Sequence, residues 1–223
     1  GMLSRNCSVS PDLCDYNVVF VNYCDGLFYT ASNAAPLNFQ GTDLYFRGRD
    51  ILFATLENLK QTTTFSNATT VLLSGGSAGG FGTMIQTDAV GEWLTANLPT
   101  VTKYRATPSS GYFLDTPNFA FQQLFFDVLT STTVTMMNVS ASLNAKCVAQ
   151  LPPSLQSMCF MTPTAFGFTT TPTFVLNSKL DSWQVSCSIL GAKGTKTPNS
   201  FGCVKAPGYG YYGNGCAYKK SLG

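Results

Sequence analysis

Residues 71 to 80, VLLSGGSAGG, constrain the fold more tightly than any other stretch of this 223-residue chain. Val71, Leu72 and Leu73 read as a buried strand, and Ser77 follows at a glycine turn. Phe81, Ile85, Ala89 and Trp93 then recur every four residues until Pro99, which predicts a helix. Strand, serine turn and helix together fit a nucleophile elbow, in which a serine hydroxyl stands above the carboxyl edge of a parallel sheet. The bland reading is a plain glycine turn, and the flanking elements favour the elbow over it. No Lys-Ser or Lys-Thr follows the glycines, as a phosphate-cradling loop needs.

The remaining elements are predicted around this unit. Val18, Val19, Phe20 and Val21 form a compact β-branched run, read as a central strand. From Asp43 to Lys60, Leu52, Leu56 and Leu59 recur at helical spacing with Asp43 placed as the cap. Residues 101 to 107 predict a third strand and Phe174-Val175-Leu176 a fourth, with Asp181 just beyond it. Strands alternating with helices imply an α/β fold, a mostly parallel sheet flanked by helices, whose functional groups gather at the carboxyl ends of the strands. No Pro-rich linker or shift of composition divides the chain, so residues 1–223 are expected to form a single domain. The Thr-rich residues 62 to 64 and the Gly/Tyr-rich tail from Pro207 to Tyr218 are read as loops.

Charged residues make up 11% of the chain, against about 25% in an average soluble domain. With a net charge of +2 and no basic cluster there is no electrostatic footprint for nucleic acid or an anionic membrane. No run approaches the ~20 apolar residues of a membrane span. Neutral partners such as glycans fit better. Eight cysteines without a CxxC pair, in a chain without histidine, argue against a metal site and for disulfides. Cys147 and Cys159 are separated by a short Pro-containing loop and are expected to pair, as are Cys7 and Cys14; Cys187, Cys203 and Cys216 are left unassigned. N-x-S/T sequons at Asn6, Asn67 and Asn138 agree with a secretory route and an extracellular location. The first residues carry no signal-peptide stretch, so any signal is expected outside the chain.

A serine nucleophile needs a base, and an α/β-hydrolase presents its triad in the order Ser, acid, His. Ser77 and Asp181 fit the first two places, and the chain holds no histidine. The simplest explanation is that the chain ends before the segment that carries it. Lys179, the nearest cation in sequence to Asp181, would be held protonated by a carboxylate rather than freed as a base. Trp183 suits either a pocket wall or core packing.

At these residues the chain resembles the pectin acetylesterase and Notum family of secreted carboxylesterases. The matching stretches are GMLS with SPDLC, VNYCDG at 21–26, LYFRG at 44–48, LLSGGSAGG at 72–80, SGYFLD at 110–115 and FVLNSKLDSWQ at 174–184, and they run over most of the chain. LYFRG and DSWQ are closer to the pectin acetylesterase branch. The resemblance implies an α/β-hydrolase-like fold with Ser77 as nucleophile, Asp181 as triad acid and the Ala78 N–H as one oxyanion donor. Asp25, Gly76 and Trp183 are carried along as candidate substrate contacts, and no cofactor is implied. The family's oxyanion loop precedes the segment resembling GMLS and its histidine follows the segment resembling DSWQ, so both are expected from other segments of a longer protein. Cys24 is then expected to reach towards an upstream cysteine and to be unpaired within this chain. Ser109 stands where the family usually has an acidic residue. The function implied is deacetylation of a cell-wall or matrix polysaccharide. The alternatives are a Notum-like protein deacylase and a non-catalytic glycan-binding or structural protein on the same scaffold.

Overall fold

The structure, a computed structural model, describes residues 4–117, 134–181 and 183–184. Its first regular element is an antiparallel hairpin of β1 (Leu37–Phe39) and β2 (Thr42–Leu44), turning at Gln40 and Gly41, both at positive φ. Helix α1 (Gly48–Thr62) follows. Then come strand β3 (Thr70–Gly76), helix α2 (Ala78–Asn97) and strand β4 (Lys103–Ser109).

Three expectations are corrected here. Residues 17–24 form no strand, and Phe20 is 80% exposed with Val18 and Val19 also on the surface. β-branching favours extended backbone, but a strand exists only where a neighbour takes its hydrogen bonds. The helix starts at Gly48 rather than Asp43, because residues 42–44 belong to the hairpin, where Asp43 Oδ1 accepts from Asn38 Nδ2 at 2.7 Å. The carboxylate that caps α1 comes from Asp25, whose Oδ2 accepts the Gly48 N–H at 2.8 Å and Oδ1 the Leu27 N–H at 3.1 Å. An acid there satisfies an orphan donor and complements the helix dipole. Finally, residues 62–64 are no open loop: Thr62 ends α1, and Thr63 accepts from Phe65 N–H to cap a 3-10 turn at Thr64–Asn67. The tail from Pro207 to Tyr218 lies outside the described residues.

Of the predicted parallel sheet, the strands at 71–73 and 101–107 form, as β3 and β4, while Phe174-Val175-Leu176 makes isolated bridges to β4 rather than a continuous strand. β3 and β4 pair in parallel from Thr70↔Lys103 to Gly76↔Ser109. Residues 172–176 run parallel to β4 in turn, with Phe174 N–H donating to Ala106 O at 2.9 Å and Leu176 N–H to Pro108 O at 3.0 Å. The chain therefore leaves the carboxyl edge at Gly76, Ser109 and Leu176, and Ser77, Ser110 and Asn177 stand next in line.

Helix α2 is held from two sides, with every residue from Gly80 to Thr87 buried. Phe81 and Ile85 pack with Leu27, Phe113, Phe160 and Met161, and Phe28 stacks on Phe81 at 4.6 Å. Val90, Leu94 and Leu98 pack with Leu52 of α1 and reach Val71 and Leu73 of β3. Burying a side chain such as Phe81 stabilises by roughly 1.5–3 kcal/mol, so the helix that starts at the elbow is anchored along its length. Two disulfides form as expected, Cys7–Cys14 and Cys147–Cys159, the second with both cysteines fully buried. Cys24 is exposed and unpaired among the described residues. Cys187, Cys203 and Cys216 lie outside them.

Candidate active site

Ser77 sits between the last residue of β3 and the first of α2 with φ 54° and ψ −117°, a region costly for a side-chain-bearing residue. The conformation is fixed on both sides. Its N–H donates to Ser109 O at 2.9 Å and its carbonyl accepts the Phe81 N–H at 2.9 Å, the first bond of α2. The turn is tight enough that a Cβ on Gly75 would run into the Gly79 carbonyl. Gly76 and Gly79, by contrast, face open space, and Ser77 is exposed. No side chain caps α2. The first-turn N–H groups of a helix have no acceptor within it, and among the described residues no side chain accepts from the Ala78 N–H beside the serine.

Asp181 follows the third parallel segment by five residues and is half-buried. Its Oδ1 accepts the Gln184 N–H at 2.8 Å. Residues 172–176, which lead to it, lie on the far side of β4 from β3 and end at the same carboxyl edge of the sheet as Ser77. Lys179 is exposed.

Of the other expected contacts, Asp25 is buried with both carboxylate oxygens engaged by Leu27 and Gly48, so it holds the fold rather than facing solvent. Trp183 lies edge-on to Phe113 with ring centroids 5.3 Å apart and packs against the core around Phe81. Asn6, Asn67 and Asn138 are all exposed. Asn138 is the most constrained, with φ 48° and its Nδ2 donating to Ser32 O at 2.9 Å.

Sequence reasoning missed the residues that join these parts. Gln184 is 4% exposed; its Oε1 accepts the Leu114 N–H at 2.9 Å and its Nε2 donates to Tyr112 O at 3.1 Å. Asn177 Oδ1 accepts the Tyr112 N–H at 3.1 Å. Thr162, fully buried, clamps Phe113 by accepting its N–H and donating to its carbonyl. The signal in the sequence was faint: uncharged Asn and Gln among the residues around Asp181.

A cleft of about 530 Å³ lies elsewhere, lined by Asp88, Tyr104, Thr170, Thr171 and Pro172 among others. Asp88 is eleven residues beyond Ser77, roughly 16 Å along the helix axis at 1.5 Å per residue. Burial there pushes the Tyr104 phenol well above its ordinary value, and its hydroxyl donates to Thr87 O at 2.9 Å. Burial also works against the Asp88 carboxylate, but the Thr170 and Thr171 N–H bonds outweigh it and hold Asp88 below its ordinary 3.8.

Comparison with known proteins adds the family. The chain is 31% identical over 189 residues to pectin acetylesterase 5 of Arabidopsis thaliana, covering 83% of this chain and 41% of that protein. It is 26% identical over 192 residues to the palmitoleoyl-protein carboxylesterase NOTUM of Schmidtea mediterranea, covering 84% of this chain and 36% of that one. The chain thus spans less than half the length of these relatives. Among solved structures it superposes on the Wnt deacylase Notum from Drosophila with a TM-score of 0.68 at 21% identity, over 78% of this chain and 50% of that one. That likeness shows the fold to be α/β-hydrolase-like. With the pectinacetylesterase family model matching residues 1–205, the chain belongs to the pectinacetylesterase family.

Proposed function

We propose that residues 1–223 carry the nucleophile and the acid of a secreted serine carboxylesterase that removes acetyl groups from a cell-wall or matrix polysaccharide. The observation that carries this reading is the strained backbone of Ser77 at the carboxyl edge of a parallel sheet, in a chain of the pectinacetylesterase family. Strain of this kind, held by surrounding structure, gathers at functional sites. Ser77 Oγ attacks the ester carbonyl, and the Ala78 N–H helps to hold the oxyanion. Asp181 orients a histidine that takes the serine proton. That histidine, with further oxyanion donors, comes from polypeptide outside these residues, since the chain contains none. No cofactor enters the reaction.

Acetyl esters of pectin are preferred as substrate because the family model and the 31% identical relatives carry that name. A Notum-like protein deacylase is the second reading, supported by the planarian relative and the shared fold. The two disulfides support an extracellular location, and no helix among the described residues is long and apolar enough to cross a membrane. Asn6, Asn67 and Asn138 are the proposed glycan acceptors.

The test is acetate release from acetylated pectin, and fatty-acid release from an acylated peptide, by the protein as it occurs in its source. Wild type is expected to release acetate, and Ser77→Ala and Asp181→Asn to lose nearly all turnover. Residues 1–223 alone are expected to show negligible hydrolysis. Fatty-acid release without acetate release would move the assignment to the deacylase. No release of either, with glycan binding intact, would leave the non-catalytic reading.

A further inference from the structure

We propose that Gln184 and Asn177 are positioning residues, which fix Asp181 at a set offset from Ser77 through the extended segment of residues 109–114. The inference rests on the reading of Ser77 as nucleophile and Asp181 as acid.

The connection can be followed bond by bond. The Ser77 N–H donates to Ser109 O at 2.9 Å, which ties the elbow to the end of β4. At Ser110, φ of 50° breaks the ladder, and its N–H donates to Leu176 O at 2.8 Å. Beyond this the backbone no longer pairs with a strand, and side chains take over. Asn177 Oδ1 accepts the Tyr112 N–H at 3.1 Å, and Gln184 takes Leu114 N–H and Tyr112 O at 2.9 and 3.1 Å. The Gln184 amide thereby stands in for a strand partner, one acceptor and one donor on alternate residues. Gln184 closes the circuit with its own N–H, which donates to Asp181 Oδ1 at 2.8 Å.

Two features make this a positioning device rather than general packing. Gln184 is 4% exposed, so its bonds to the 112–114 segment have no water to replace them. Asp181 is also held through one oxygen only: among the described residues Oδ2 makes no hydrogen bond and is available to a base. A neutral amide suits the place, because a carboxylate at 184 would set a second negative charge beside Asp181. The Trp183 ring on Phe113, with Phe113 clamped by Thr162, steadies the same loop from its other side.

A misplacement of about 1 Å in a catalytic constellation can cost about 10²-fold in rate. Gln184→Met, of similar length but without the amide, is therefore expected to lower kcat on an acetyl ester about 10- to 100-fold with KM nearly unchanged. It should also shift the acidic limb of the pH–rate profile downward, since a displaced Asp181 supports an imidazolium less well. Asn177→Leu should act in the same direction, while Asn177→Asp, which keeps the acceptor for Tyr112, should restore kcat. Active-site titration with a serine-reactive phosphonate counts folded molecules, so a lower yield of folded protein is separated from a lower kcat. Gln184→Met with wild-type kcat and an unmoved pH limb overturns the proposal while leaving the function intact, provided that Ser77→Ala is inactive. If Gln184→Met does not fold, the Asn177 pair decides, and equal activity in Asn177→Leu and Asn177→Asp overturns it. Full turnover in Ser77→Ala would remove the functional reading itself, and this inference with it.

Discussion

The backbone N–H of Ser77 donates to the carbonyl of Ser109 at 2.9 Å, one step beyond the Gly76↔Ser109 pair that ends the β3–β4 ladder. The sheet thus continues to act on the chain after the strand has turned, and holds a serine at φ 54°. Strain of this order, about 1–3 kcal/mol, is relieved by a residue without a Cβ. Ser77→Gly is therefore expected to be about 1 kcal/mol more stable than wild type, after allowing for glycine's greater freedom when unfolded, and Ser77→Ala is not. Thermal unfolding checks this: a rise is predicted for Gly alone, about 2–4 °C if the unit that unfolds is of about 150–250 residues.

The same region predicts a contrast between glycines. A Cβ on Gly111 would run into the backbone of Gly80, and one on Gly80 would come within 2.5 Å of Ser109 O, whereas Gly79 meets nothing within 4 Å. Gly111→Ala and Gly80→Ala should cost about 3 kcal/mol or more through overpacking against backbone that cannot yield. Gly79→Ala should be neutral or stabilise by up to about 1 kcal/mol through helix propensity. Urea unfolding of the three variants provides the comparison.

Asp88 predicts part of the acid sensitivity. Its carboxylate accepts from the Thr170 and Thr171 N–H groups and from Asn144 Nδ2, joining α2 to the segment that leads into residues 172–176 beside β4. Held below its ordinary 3.8 in the fold, Asp88 contributes its full stability above that value and loses it as pH falls through 3.8 and then through the lowered folded value. Asp88→Asn should cost about 1–3 kcal/mol at neutral pH. The gap between variant and wild type should narrow below about pH 4. A gap that stays constant from pH 7 to pH 3 would contradict this.

The two disulfides should differ in reactivity. Cys147 and Cys159 are fully buried, while Cys7 is exposed. In residues 1–223, graded reduction followed by alkylation is expected to label Cys7 and Cys14 before Cys147 and Cys159, with Cys24, unpaired among the described residues, labelled before any reductant is added. Replacing Cys147 and Cys159 together should cost about 3 kcal/mol in the chain-entropy model.

What could be read from the sequence was local. The elbow, both short-range disulfides and the parallel strand–helix order follow from neighbouring residues, and so they were legible. Val18 to Val21 misled because β-branching reports extended backbone and says nothing of a pairing partner. Asp43 misled because the cap of α1 comes from Asp25, twenty-three residues before Gly48, a long-range choice that no capping pattern encodes. Gln184 and Asn177 were invisible for the same reason: their partners at Tyr112 and Leu114 lie 65 to 72 residues away. Only the fold brings an amide and an unpaired strand end together.

The most direct test of the central claim is to treat the source protein with a fluorophosphonate and map the adduct by peptide mass spectrometry. A single adduct on Ser77, formed in step with loss of acetate release from acetylated pectin and absent in Ser77→Ala, is the result predicted. Acetate release that persists with Ser77 unlabelled or replaced would contradict it.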